Sequence, residues 1–241
     1  MNYTRVFTTQ DFISNEQITL SGDNFKHLSN VLRKKIGSLI QLFDGQGSSC
    51  IGKIISFNRQ SLSLKITEKR KFKPRQGIKI FLGQSLIKSE SFRFSIQKAT
   101  ELGVCSISPL LSERTVIKIN EDSIETKLKK WKSISVGACQ QCGEDWIPHI
   151  HKAQSIESWV NQIKAKYKIV LFPSADKKLS SLKIKDSVAV AVGPEGDFTD
   201  LEVSLLEQRG FIPVNIGPRI LRSDTATIST LSSIRTMCGE F

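Results

Sequence analysis

Two short loops hold the residues of this 241-residue chain best suited to grip a ligand. The first reads Gly193-Pro194-Glu195-Gly196-Asp197-Phe198 and the second Gly217-Pro218-Arg219-Ile220-Leu221-Arg222. Glycine lets backbone approach a bound molecule closely, and proline stiffens the turn around it. The Gly-x-x-Gly of the first loop lacks the spacing of a dinucleotide fingerprint. No Lys-Ser/Thr follows it, which excludes a phosphate-cradling P-loop. Taken singly, each loop reads as a tight turn with ordinary glycines. Together, with Arg222 at the end of the second, they read as opposite walls of one pocket.

Other reactive residue types form weaker patterns. Cys139-x-x-Cys142 is half of a zinc or thiol-redox site without a second pair, and it falls in a helical pattern. His149-x-His151 has too few partners for a metal site, so no metal is expected. Five cysteines, an odd number, point to reduced thiols.

The loops need elements to position them. Ser187–Val192 reads Ser-Val-Ala-Val-Ala-Val, a strand buried on both faces that runs directly into the first loop. Thr199 and Glu202 have capping-box spacing, so a helix starts there and stops near Arg209 at Gly210. Phe211–Ile216 is the next strand and leads into the second loop. Ser223 is an N-cap for a closing helix with Ile228, Leu231 and Ile234 on its core side. Ligands in open α/β sheets bind at the C-terminal ends of such strands.

Upstream, strands Ile78–Leu82, Val104–Leu110 and Lys168–Phe172 alternate with helices Ser91–Leu102, Asp122–Gln141 and Ile156–Ala165. That order predicts an α/β domain with a largely parallel sheet over residues 76–241. Residues 1–72 read differently. Leu39–Phe43, Cys50–Phe57 and Leu62–Thr67 are short strands joined by tight turns, which suggests a small barrel or sandwich. One helix is expected over Asp23–Arg33, with Phe25, Leu28, Val31 and Leu32 on one face. Between the domains, Lys69, Arg70, Lys71, Lys73 and Arg75 crowd around Pro74, either as a solvated linker or as a phosphate-contacting strip.

The net charge of +12 is unevenly spread. Residues 1–75 carry +8 and residues 76–190 carry +7, whereas residues 191–241 carry −3. A polyanion would be drawn to the first three-quarters of the chain. No apolar run is long enough to span a membrane, and Met1–Gln10 lacks a secretory apolar segment, so a cytoplasmic protein is expected.

The two loops, extended through Ser223-Asp224-Thr225-Ala226, resemble those of the RsmE family of 16S ribosomal RNA uracil-N3 methyltransferases, in the SPOUT superfamily. The likeness continues in His27-Leu28-Ser29-Asn30-Val31-Leu32-Arg33, Phe43-Asp44-Gly45, Lys98-Ala99-Thr100-Glu101-Leu102-Gly103-Val104, Ser112-Glu113-Arg114 and Gln140-Gln141-Cys142-Gly143. It implies a PUA-like RNA-binding β-barrel followed by a SPOUT α/β domain with a trefoil knot, S-adenosylmethionine in the knot loops, and a homodimer. Three positions depart from the family's pattern: Asp197 and Asp224 stand where Gly and Glu are common, and Glu144 where a basic residue is usual.

The resemblance also assigns roles. Leu171, Phe172, Gly193, Pro194, Glu195, Gly196, Ile216, Gly217, Leu221, Thr225 and Ala226 would surround the cofactor. N3 of uracil carries a proton and is a poor nucleophile until that proton leaves, so a cation or a base would help. Arg222 suits the cationic role and Asp224 the base. A paired base hides N3, so the RNA target must be unpaired or flipped out. Arg5, Arg33, Lys34, Lys35, Lys88 and Arg93 could hold phosphates. Two alternatives remain: a non-catalytic RNA-binding assembly factor, and a SPOUT enzyme acting on transfer RNA.

Overall fold

A computed structural model describes residues 3–70, 72, 74–115, 117 and 121–241, without the side chains of 121–123. Lys71 and Lys73 of the basic strip lie outside the described residues. The chain divides into two compact units, Met1–Arg75 with Cys139–Ile147 and Gln76–Ala138 with Pro148–Phe241.

The first unit holds β1 (Thr4–Phe7), β2 (Gln17–Ser21), α1 (Gly22–Lys26), β3 (Leu39–Phe43), β4 (Ser49–Phe57) and β5 (Ser61–Lys69). Its sheet runs β1-β3-β4-β5-β2, antiparallel except for β1 on β3. Alternation along the strands sends Ile18, Leu20, Ile40, Leu42, Ile54, Leu62 and Leu64 into one core with Val6, Phe12 and Leu28. The Asp44 carboxylate accepts the Gln46 and Ser48 N–H groups and so makes the β3–β4 turn.

The helix expected over Asp23–Arg33 is corrected. α1 stops at Lys26, and His27–Val31 forms a π-helical turn. Leu32 N–H reaches the His27 carbonyl and Lys34 N–H the Leu28 carbonyl, so the hydrogen bonds span five and six residues. The apolar stripe therefore rotates out of register: Leu28 is buried, while Val31 and Leu32 face solvent. Arg33 then adopts the left-handed region at φ +47°.

Arg5 is also corrected. It was expected to hold RNA phosphate, but its guanidinium is buried. It pairs with Asp145 at 2.7 Å, donates to the Glu144 carbonyl at 2.9 Å, and lies over the Phe43 ring. The cation neutralises a buried carboxylate that also accepts from Ser49 Oγ, and it belongs to the unit's interior.

The second unit contains β6 (Lys79–Ser85), α2 (Ser89–Glu101), β7 (Ser106–Leu111), most of α3 (Glu121–Cys142), β8 (His149–Ile150), β9 (Gln154–Ser155) and α4 (Ile156–Gln162). It continues through β10 (Tyr167–Leu171), β11 (Ser187–Val192), α5 (Asp200–Gln208), β12 (Ile212–Val214) and α6 (Ser223–Met237). The strand order is β12-β10-β11-β6-β7-β8, with β9 also on β7, and every described pair is parallel. Alternate residues of the central strands face two cores. Ile80, Leu82, Val188, Val190 and Val192 pack with Phe92, Leu231 and Ile234, on the side of α2 and α6. Phe81, Ala189 and Ala191 pack with Trp159, Phe198, Leu206 and Phe211, on the side of α4 and α5.

Small residues in the middle strands admit the indole of Trp159. A Cβ at Gly83 would stand 2.6–2.9 Å from three of its ring carbons. Gly83→Ala should therefore cost about 1–3 kcal/mol by overpacking. The check is urea unfolding, where the midpoint should fall at constant slope.

Candidate active site

β11 and β12 end at the same edge of the sheet, with β10 between β11 and β12. Loops 193–199 and 215–222 therefore emerge side by side.

The first loop is braced from three directions. Asp197 N–H closes a turn on the Pro194 carbonyl at 3.0 Å. Glu195 accepts the Lys88 N–H at 3.1 Å, and Arg114 donates to the Gly196 carbonyl at 2.7 Å. Thr199 and Glu202 form the capping box that starts α5, and Thr199 also bonds the Glu113 carboxylate. Arg114 and Glu113 were visible in the sequence only as part of a family likeness; no spacing rule tied them to this loop.

In the second loop, Asn215 anchors the chain through the Ala175 carbonyl, and its Oδ1 accepts the Gly217 N–H. Gly217 has φ +139°, a conformation L side chains rarely adopt. Ser223 does not cap α6, as the sequence suggested. It is the first helical residue, and Arg222 occupies the cap position without a side-chain bond. The Ser223 hydroxyl instead donates to the Gly193 carbonyl at 2.6 Å, joining the two loops.

Above this bond lies a cleft of about 260 Å³, lined by Leu171, Pro173, Val192, Gly193, Pro194, Glu195, Asp197, Ile220, Leu221, Arg222, Ser223 and Ala226. Seven of these were expected from the sequence as cofactor or catalytic residues. Ile216 and Gly217 line an adjoining, wider cleft of about 990 Å³ that shares Pro173 and Ile220 with the first. Phe172, expected beside Leu171 around the cofactor, is partly buried against the core on the α4–α5 side, because neighbouring residues of an extended chain face opposite ways. Thr225 and Asp224 lie on the first turn of α6, where Asp224 Oδ1 accepts the Thr225 N–H at 2.8 Å.

The glycines are not equivalent. A Cβ on Gly196 would meet Arg114 carbons at 3.4 Å, an ordinary contact. A Cβ on Gly193 would meet Asp197 Oδ1 at 2.9 Å and Phe198 N at 3.0 Å. Of the two, Gly193 is the crowded position. Asp197 itself sits in the left-handed region at φ +61°, and its Oδ1 accepts the Phe198 N–H at 2.8 Å. Burial pushes its carboxyl up from the ordinary value, against the lowering effects of the Phe198 N–H and the Arg114 cation.

Of the remaining candidate cations, Arg33, Lys35, Lys88 and Arg93 are exposed and Lys34 is half-buried. Cys139 is buried with its thiol pushed up to about 12 by desolvation, whereas Cys142 is exposed. The His149 and His151 rings stand edge to face with centroids 4.4 Å apart. Among the described residues no group of three or more ligating side chains gathers, and no helix is long and apolar enough to cross a membrane.

A braced glycine-loop cleft at the carboxyl ends of a parallel sheet defines a ligand-binding α/β domain, here in a chain with a separate small β unit. The RNA methyltransferase domain family matches residues 74–235, and the RNA methyltransferase PUA domain family matches residues 20–67. The chain is 31% identical to ribosomal RNA small subunit methyltransferase E of Buchnera aphidicola from Acyrthosiphon pisum, over 98% of this chain and 94% of that one. It is 26% identical to the Bacillus subtilis protein of the same name, over 94% and 93%. Among solved structures, ribosomal RNA small subunit methyltransferase E of Neisseria gonorrhoeae, bound to S-adenosyl methionine, superposes with a TM-score of 0.89 at 25% identity over 98% of both chains. A Legionella pneumophila chain holding the cofactor SAM gives 0.92 at 30% identity, again over 98% of both. The chain therefore belongs to the RNA methyltransferase family that includes the ribosomal RNA small subunit methyltransferase E proteins.

Asp197 allows a signed test. A carboxyl whose pKa is raised by folding contributes stability below its unfolded value, 3.8, and loses that contribution as pH rises. Asp197→Asn keeps the Oδ1 acceptor and tolerates the left-handed backbone. It should raise the melting temperature at neutral pH, and the gain should vanish in acid below the ordinary carboxylate pKa. A gain that persists in acid would assign the effect to something other than ionisation. In the same assay Gly193→Ala should lower stability more than Gly196→Ala.

Proposed function

We propose that this chain is an S-adenosylmethionine-dependent methyltransferase that modifies N3 of a uridine in the ribosomal RNA of the small subunit. The observation that carries the reading is the Ser223–Gly193 bond, which closes two glycine loops over a cleft at the strand ends. The family and the relatives' names supply the rest.

The cleft's residues fit the cofactor. Leu171, Val192, Ile220, Leu221 and Ala226 provide apolar walls for an adenine. Gly193 and Pro194 bring backbone to the surface, and the Glu195 and Asp197 carboxylates suit a positively charged ligand. Gly196, Ile216, Gly217 and Thr225 complete the proposed surround. When bound, the cofactor supplies an electrophilic methyl group on a sulfonium. The chain's part is to hold the uracil edge in line and to favour loss of the N3 proton; positioning of this kind is worth up to about 7–11 kcal/mol. Arg222, exposed at the cleft and followed by the α6 N-terminus, is the cation for a uracil anion. Asp224 is the candidate base.

Residues 1–72 form the PUA-like barrel that holds RNA, and residues 76–241 the SPOUT domain, threaded as a trefoil knot. Arg33, Lys34, Lys35, Lys88 and Arg93 contact phosphates. Two copies pair through the wider cleft: Ile220 is 86% exposed there, beside Ser229, Ser232, Ser233, Thr236 and Met237 of α6. The enzyme works in the cytoplasm.

Calorimetry should show binding of S-adenosylmethionine by the folded protein; its absence would sink the reading. Mass spectrometry of small-subunit RNA from a deletion strain should lose 3-methyluridine, and an unchanged peak accompanied by a lost transfer-RNA modification would redirect the substrate. Arg222→Ala should cut turnover about 10²–10³-fold with melting unchanged, and wild-type turnover would remove Arg222 from the mechanism.

A further inference from the structure

Gln84, the last but one residue of β6, pairs with Val192 of β11 at the sheet edge that carries the cleft. It is 1% exposed. Polar side chains at such depth are costly unless every group is paired, and Gln84 is fully paired. Its Nε2 donates to Ser223 Oγ at 3.0 Å and to the Ser85 carbonyl at 3.1 Å. Its Oε1 accepts from Thr227 Oγ1. Ser223, 7% exposed, spends its own proton on the Gly193 carbonyl.

The bonds have a fixed polarity. Because the Ser223 hydroxyl donates to Gly193, its other side takes a donor, while an acceptor faces the Thr227 hydroxyl, which also reaches the Ser223 carbonyl at 2.9 Å. A carboxamide offers both from one planar group; a hydrocarbon offers neither and a carboxylate only acceptors. Leu82, two residues back on the same face, shows that the core here takes aliphatic side chains. Packing alone does not call for Gln.

We propose that Gln84 is a positioning residue for the methyl-donor cleft: through Ser223 it fixes the first glycine loop against the start of α6, and so sets the spacing of the two walls. It is not among the described residues lining the cleft, so it acts through Ser223 and Gly193. The inference rests on the cleft being the S-adenosylmethionine site.

The test uses Gln84→Glu, which keeps shape and changes only donor capacity. Burial raises a carboxyl's pKa. The protonated acid can donate to Ser223 as the amide does; the carboxylate cannot. The variant's affinity for S-adenosylmethionine, measured by calorimetry against wild type at each pH, should be near normal in mild acid and about tenfold weaker in mild alkali. KM for the cofactor should rise with kcat largely kept. Gln84→Met removes both hydrogen-bonding ends and should weaken binding equally at all pH values, which keeps the inference testable if the Glu variant fails to fold. Wild-type affinity in Gln84→Met, or a pH-independent loss in Gln84→Glu that follows melting temperature, would overturn the inference. Failure of the wild-type protein to bind the cofactor would instead overturn the functional reading.

Discussion

A single hydroxyl proton, given by Ser223 to the carbonyl of Gly193, joins two loops that lie 30 residues apart in the chain. The rest of the second unit can be seen as the means of bringing those two atoms to 2.6 Å in a dry place. A wholly parallel sheet delivers the ends of β10, β11 and β12 to one edge. Alanines in β11 let that strand lie beneath the bulky side chains of the α4–α5 side. The α5 capping box and Arg114 hold the first loop from outside, so the bond closes a loop that is already ordered. Buried bonds of this kind are modest in net energy but specific in geometry.

Charge follows the same division of labour. The cleft carries Glu195 and Asp197 beside Arg222, in a segment that is net acidic, and the basic excess of the chain lies earlier in the sequence. A cationic donor and a polyanionic acceptor thus meet opposite fields.

Much of this was legible in the residues. The Ser187–Val192 strand, the Thr199–Glu202 cap and the parallel order follow from patterns local to a few residues. What failed did so where distant contacts decide. The helix read over Asp23–Arg33 has a sound apolar stripe, yet a π-helical turn shifts it and leaves Val31 exposed. β1 has only Val6 and Phe7 as apolar residues, and it gains its place by pairing with β3. Ser223 has an N-cap's residue type, but its hydroxyl is claimed by a carbonyl that periodicity cannot see. Arg5 looked like any surface cation until Asp145 appeared beside it.

That last pair bears on synthesis. The first unit is discontinuous, since its Arg5 is neutralised by a residue 140 positions later. At ribosomal speeds of about 5–20 residues per second, the carboxylate follows the arginine by roughly 7–28 s. During that interval Arg5 has no Asp145 to pair with, and the Cys139–Ile147 segment that belongs to the unit is still to be made. The domain made first is thus finished only after much of the second has been translated, and a ribosome stalled between the two would hold an incomplete first domain.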